Sequence, residues 1–294
     1  MNNYEITSCS TTDLPIEFYN NENLKFLSFH YFVNGKSNVD DLYQSINAKE
    51  FFDIASKENV TTSQVSPEEY IDVWEKILQD GKDIIHISLS SAISGTYNSS
   101  CIARDTLTPK YKDRKITVID SLSASSGYGL LLYIANEKKK EGYDYNKLVD
   151  FIEKEKMQIQ HLFYSTDLTN FVKGGRISKT EGLIGSMLSI CPYMSVSKEG
   201  KLAVLGKARG TKKARQEIIE CMKKNIKNGV DYDGLIFINH SDTLDELNAM
   251  IDLIKENFPK SKFIEYSVCM IGPTIGTHTG RGTVALYYEC DERL

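Results

Sequence analysis

The chain has 294 residues, 41% of them hydrophobic and 26% charged, and a net charge of −5. That is ordinary globular composition, with length for two domains or one large one. Lysine and arginine are spread along the chain without a basic stripe, which argues against a nucleic-acid partner. The first residues carry no charged-then-apolar leader, and no apolar run approaches the roughly 20 residues a membrane helix needs. A cytoplasmic protein with at most transient membrane contact is therefore expected. The six cysteines are irregularly spaced, without a Cys-x-x-Cys pair, as suits free thiols in a reducing compartment. Cys9 alone sits in a polar stretch suited to reactivity.

Tyr4–Thr7 reads as a short strand, followed by a hydroxyl-dense loop, Ser8–Pro15. Phe26–Val33 reads as a second strand closed by Asn34-Gly35, and Asp40–Ser45 and Phe51–Ser56 read as short helices. A second hydroxyl cluster follows at Thr61–Val65. Ser66-Pro67-Glu68-Glu69 is a capping box with proline at the first helical position, opening a helix to Gln79. Its Tyr70, Ile71, Trp74, Ile77 and Leu78 fall on one face. Asp83–Leu89 and Ile116–Asp120 read as strands, Tyr97–Leu107 and Ser125–Lys140 as helices. Strands alternating with helices predict parallel β-α units and a doubly wound, mostly parallel sheet. Ligands in such sheets sit beyond the carboxyl ends of the strands. The loops at Ser8–Thr12, Thr61–Gln64 and Ser90–Thr96 are accordingly expected on one rim.

The second half differs. Strands are expected at Gln158–Tyr164, Gly234–Asn239, Lys262–Met270 and Thr283–Glu289. Helices are expected at Asp167–Val172, Glu181–Leu188, Thr211–Ile226 and Asp242–Phe258. Tyr193–Val196 and Leu202–Leu205 flank a hairpin turn at Lys198–Lys201. This mixture predicts a two-layer α+β domain. The fold expected is thus α/β in two domains, residues 1–160 and 161–294.

Two stretches bear on chemistry. In Ile87–Thr96 a strand ends in serines, a glycine and a threonine, and a helix begins. A helix start has unpaired N–H groups and a partial positive charge, which suits an anion. Plain N-capping by Ser94 or Thr96 explains the same residues. Ile271–Gly282 holds four glycines and His278 between two threonines, read as a loop between strands. No phosphate loop, dinucleotide fingerprint, nucleophile elbow or metal-ligand spacing is present. Many neutral donors without a base–nucleophile pair favour binding an anion over transforming it. A stand-alone hydrolase or phosphotransferase on a small carboxylic acid, with His278 as base and Ser94 as nucleophile, is the competing reading.

An ordered set of pieces across nearly the whole length carries a resemblance. They are Ser10–Pro15, Thr61–Gln64, Leu89–Tyr97, Val118–Ser121, Phe171–Ser178 and Ile275–Gly280. Together they resemble the DegV family, fatty-acid-binding proteins that serve as acyl-carrying subunits of bacterial fatty acid kinase. Cys9 stands where that pattern usually has aspartate, and Cys191 where lysine is common. The resemblance implies a long-chain fatty acid held between two domains, no other cofactor, and no catalysis by the chain itself. A separate kinase subunit would phosphorylate the bound carboxylate with ATP. The carboxylate site carries over onto Thr62, Ser94 and His278, with Ser63, Gly95 and Thr96 close by. Arg176 and Arg209 would face the kinase or the head group. Ile93, Phe171, Leu183, Ile184, Met187, Leu188 and Ile190 are candidate tunnel walls, and read equally well as ordinary core.

Overall fold

The computed structural model describes residues 3–178, 180 and 189–294. The helix expected over 181–188 lies outside them. Strands β1 (Tyr4–Cys9), β2 (Lys25–Leu27), β6 (Asp83–Ser88) and β7 (Ile116–Asp120) form a parallel sheet in the order β2-β1-β6-β7. Its central strands bury Ile6, Ile84, Ile85 and Ile87 completely. Continuous burial of this kind belongs to a sheet covered on both faces. The cover comes from α1 (Ile16–Glu22), α3 (Pro67–Gln79), α4 (Thr96–Leu107), α5 (Ser125–Lys140) and α6 (Tyr145–Glu155). Both bonds of the α3 capping box form: Ser66 Oγ accepts from the Glu69 N–H at 3.2 Å, and Glu69 accepts from the Ser66 N–H at 2.8 Å. The sequence reading had no helix at α6. Asp144 caps it, but Leu148 and Ile152 are its main buried apolar anchors, a thin signal in a charged stretch.

A second sheet departs from expectation. β4 (Lys36–Val39), β3 (His30–Val33) and β5 (Val60–Ser63) pair antiparallel in the order β4-β3-β5. With α2 (Ala48–Ala55) they enclose a small core of Tyr31, Phe51, Phe52 and Val60. The single strand expected over Phe26–Val33 is therefore two strands in two sheets, broken at Ser28-Phe29. The helix expected at Asp40–Ser45 is a turn, because Leu42 and Tyr43 are left-handed at φ 59° and 64°. Thr61–Ser63 is strand rather than loop.

The mixed sheet runs β10 (Leu202–Arg209), β9 (Ile190–Val196), β8 (Ile159–Ser165), β13 (Thr283–Glu289), β11 (Ile236–His240) and β12 (Val268–Met270) in that order. Side chains alternate between its faces. Leu162, Tyr164, Leu286 and Tyr288 share a core with α8 (Gly210–Asn225) and α9 (Leu244–Asn257). Pairing of His161 with Tyr287 and of Phe163 with Ala285 puts those four on the opposite face, towards α5. Arg293, wholly buried, donates to the carbonyls of Ile159 and Leu122 and so ties the two halves together. α7 (Thr169–Lys173) follows β8. The strand expected over Lys262–Met270 is confined to β12. The glycine-rich segment is not a loop throughout: it holds a helix, α10 (Pro273–Thr279), opened by proline at its first position.

Candidate functional site

Between the carboxyl end of the parallel sheet and the inward face of the mixed sheet lies a cavity of about 330 Å³. Its walls are mostly apolar: Leu89 and Ile93 after β6, Phe163 and Tyr287 from the mixed sheet, Phe171 from α7, and Ile275 from α10. Phe163 and Phe171 stack with ring centroids 6.2 Å apart. The volume falls within the roughly 300–1,000 Å³ of small-molecule sites.

Among its polar residues, Thr62, Ser63, Ser94 and His278 come from three distant stretches of chain. β5 supplies Thr62 and Ser63, and the loop before α4 supplies Ser94. On α10, Thr274, Ile275 and His278 share one helical face and line the cavity. The opposite face of α10 packs on α2, where a Cβ on Gly276 would meet the rings of Phe51 and Phe52. Glycine there lets the helix approach closely enough for His278 to reach β5.

His278 Nε2 lies 2.8 Å from Thr62 Oγ1. Its Nδ1 is buried without a hydrogen-bond partner and is backed by Gly174, where a Cβ would run into the ring. Burial, and then the neighbouring Arg176 charge, push the imidazole down to about 4. The ring is therefore neutral near pH 7 and carries a single N–H. With that proton on Nε2, the imidazole donates to Thr62 Oγ1 and frees the threonine hydroxyl to donate into the cavity. Ser94 Oγ accepts from the Thr96 N–H at 3.3 Å, so its own hydrogen is also free to donate. Arg176 reaches the same end of the cavity. Its Nε donates to the Ile93 carbonyl at 3.1 Å and its Nη1 to the Gly174 carbonyl at 2.5 Å. Neutral donors and one cation thus converge on a single end of an apolar cavity, an arrangement suited to a carboxylate with a hydrocarbon tail.

Thr62, Ser63, Ser94, His278 and Arg176 all line the cavity, and so do Ile93 and Phe171. Gly95 and Thr96 do not. Thr96 is wholly buried, and its hydroxyl meets Tyr70 Oη at 2.9 Å, which anchors the start of α4. Arg209 is exposed at the end of β10, away from the lining, and Ile190 also lies off the cavity. Leu183, Ile184, Met187 and Leu188 fall outside the described residues. The Ser8–Thr12 stretch does not line the cavity: Ser8 and Cys9 end β1, Ser10–Thr12 form the turn after it, and all five side chains are buried. Cys9 is not a reactive thiol. It closes β1, wholly buried, and burial pushes it up to about 12. Ser125, Thr274, Phe163 and Tyr287 were missed as lining residues. The last two sit in strands buried on both faces, so no apolar–polar alternation marked them as cavity-facing.

Fold and cavity define a two-domain α/β protein with an apolar ligand chamber closed by a hydroxyl–imidazole end. The chain belongs to the DegV family: the family model, described as an uncharacterised protein of that family, matches residues 4–291. A DegV domain-containing protein of Clostridium perfringens is 33% identical over 296 residues, covering 100% of this chain and 99% of that protein. Among solved structures, a DegV family protein from Thermus thermophilus, described for its fatty acid binding, superposes with a TM-score of 0.85 at 25% identity. The match covers 98% of this chain and 99% of that one. The fatty acid kinase (Fak) B3 protein of Streptococcus pneumoniae, loaded with linoleic acid, superposes at 0.83 with 25% identity, covering 98% and 99%.

Proposed function

We propose that this chain binds a long-chain fatty acid in the cavity and presents its carboxylate to a separate, ATP-dependent fatty acid kinase. Thr62, Ser63, Ser94 and His278 hold the head group, Gly95 and Thr96 fix the turn that carries Ser94, and Arg176 supplies positive charge. The single observation that supports this most is the Thr62–His278 contact, at 2.8 Å, at one end of a mostly apolar chamber. A buried, unpartnered carboxylate costs several kcal/mol even after relaxation. Hydrogen bonds to a charged group return about 1.5–3 kcal/mol each, so two hydroxyls beside a cation offset that cost. Each buried CH₂ of the tail adds about 0.8 kcal/mol. The tail supplies affinity and the polar end supplies orientation, leaving one carboxylate oxygen free to attack a phosphoryl group. The phosphoryl chemistry belongs to the partner, and the chain acts as carrier. The solved relatives with bound or described fatty acids support the ligand class, and the kinase B3 protein supports the partner. The same reading places the chain in the cytoplasm, with the domain division near residue 160. Among the described residues, no helix is long and apolar enough to cross a membrane. Native mass spectrometry of the protein purified from a bacterial host tests the ligand. A co-purified long-chain fatty acid is expected. An empty chain that also takes up no added palmitate contradicts the proposal.

A further inference from the structure

Helix α10 carries His278 to the head-group end, and its own start is held by groups from outside the helix. Its N-cap is Gly272, which has no side chain to accept from the first-turn N–H groups. Two buried carboxylates from distant parts of the chain take that role. Asp13 Oδ1 accepts from the Gly272 N–H at 3.0 Å. Asp40 Oδ2 accepts from the Thr274 N–H at 3.1 Å and from the Thr274 hydroxyl. Pro273, between them, has no N–H to satisfy. A Cβ on Gly272 would stand 2.7 Å from Asp13 Oδ1 and 3.9 Å from Asp40 Oδ1, so glycine lets both carboxylates close on the helix start. Each carboxylate also reaches a second part of the head-group site. Asp40 follows β4, and its N–H donates to the Phe29 carbonyl at 2.8 Å, next to β3. It therefore belongs to the small sheet whose β5 holds Thr62. Asp13 ends the turn after β1, and β1 lies beside β6, which runs on to the Ser94 loop. Asp13 Oδ2 accepts from Ser125 Oγ at the start of α5, and Ser125 Oγ accepts from the Asn239 amide of β11 at 2.7 Å.

We infer that Asp13 and Asp40 are positioning residues for lipid binding: they fix the start of α10, and through it the place of His278 against Thr62, without touching the ligand. The inference rests on the reading given under Proposed function. Neither aspartate borders the lipid cavity. Thr62, Ser94 and His278 lie on three stretches of chain that share no local structure, and the two carboxylates join those stretches around Gly272. The small sheet grips α10 twice, at Thr274 through Asp40 and one turn later at His278 through Thr62. Hydrogen bonds weaken steeply away from their preferred length and angle. A shift of the first turn of α10 is therefore felt at the Thr62–His278 contact. Burial, the leading influence, pushes both carboxyls up. An amide has the shape of a protonated carboxyl and keeps an acceptor oxygen, so asparagine is the conservative replacement at either position.

The test measures palmitate affinity of the full chain in a double-mutant cycle, with circular dichroism to confirm folding. Asp40→Ala is expected to weaken palmitate about fivefold, the scale of one lost hydrogen bond. Asp40→Asn is expected to hold affinity within twofold of wild type. In a His278→Ala background, Asp40→Ala is expected to cost less than a further twofold, because the residue it positions is gone. The alanine and asparagine pair at Asp13 should follow the same pattern. Thr274→Val removes the hydroxyl bond to Asp40 from the other side with little change of shape. It should weaken palmitate about threefold, again only while His278 is present, and it carries the test if an alanine variant does not fold. A loss undiminished in the His278→Ala background, a loss that asparagine does not prevent, or a folded Asp40→Ala or Thr274→Val chain with full affinity overturns the positioning role alone. A wild-type chain that binds no palmitate overturns the lipid reading and the positioning role with it.

Discussion

Two hydroxyl-rich stretches look alike in sequence and part company in the fold. Around Ser8–Thr12 the side chains are buried and, Thr11 apart, engaged with groups outside the stretch. Ser8 Oγ and Thr12 Oγ1 meet Tyr19 Oη at 2.9 and 2.6 Å, and Ser10 Oγ accepts from the Phe29 N–H at 3.1 Å. At Thr62, Ser63 and Ser94 the hydroxyls are half-buried, face a cavity, and keep donor capacity unspent. Density of hydroxyls does not mark a binding site. What marks it is hydrogen-bonding capacity left open where water is scarce.

Substitutions can break this contrast. The largest effects are expected at the open cluster. Ser94→Ala and His278→Ala should each weaken palmitate retention by on the order of tenfold to a hundredfold, following the 1.5–3 kcal/mol of a charged hydrogen bond. Competition binding measures the loss, and circular dichroism should show both variants folded. Unchanged retention in both would erase the distinction between the two clusters.

A pH series sharpens it next. The His278 imidazole is pushed down to about 4 in the fold against an ordinary value of 6.5. A depressed imidazole stabilises the fold fully above the unfolded value. That stability is lost as pH falls from 6.5 towards 4, because the unfolded chain takes a proton that the folded one refuses. The loss is roughly 3 kcal/mol across that window. Urea midpoints for wild type and His278→Gln should converge as the pH is lowered. Parallel curves at all pH values would contradict the neutral-ring assignment.

The closed cluster gives the smaller, opposite signature. Tyr19→Phe removes the hydroxyl shared by Ser8 and Thr12 and should cost about 1–3 kcal/mol of stability. Palmitate retention should stay within twofold. Smallest of all, Arg209→Ala at an exposed position off the cavity should leave retention within twofold and stability unchanged. A large loss of retention at Arg209 would mean the head group is held elsewhere.

Much of the fold was legible because local signals and tertiary context agreed. The capping box at Ser66, the strand at Ile116–Asp120 and the helix at Ser125–Lys140 stand where periodicity put them. The failures are equally physical. Phe26–Val33 has one apolar pattern but serves two sheets, and nothing local announces a strand that changes partners at Ser28-Phe29. Leu42 and Tyr43 adopt left-handed backbone without glycine, so the turn around them looked helical. Pro273 was a helix-start signal that the surrounding glycines masked. Thr62, Ser94 and His278 were named through the ordered family pieces, since residues so far apart in sequence meet only in the tertiary fold. Thr96 was placed with them by adjacency, although its hydroxyl turns the other way, to Tyr70.

The central claim is that one end of the cavity holds an ionised fatty-acid carboxylate through Thr62 and Ser94, with His278 behind Thr62. Carbon NMR of carboxyl-labelled palmitate bound to the chain tests it most directly. A single bound resonance is predicted, displaced from its position in vesicles, untitrated from pH 8 to 5, and moved by Thr62→Val and Ser94→Ala but not by Arg209→Ala. No bound resonance, or one indifferent to both Thr62 and Ser94, would contradict the account.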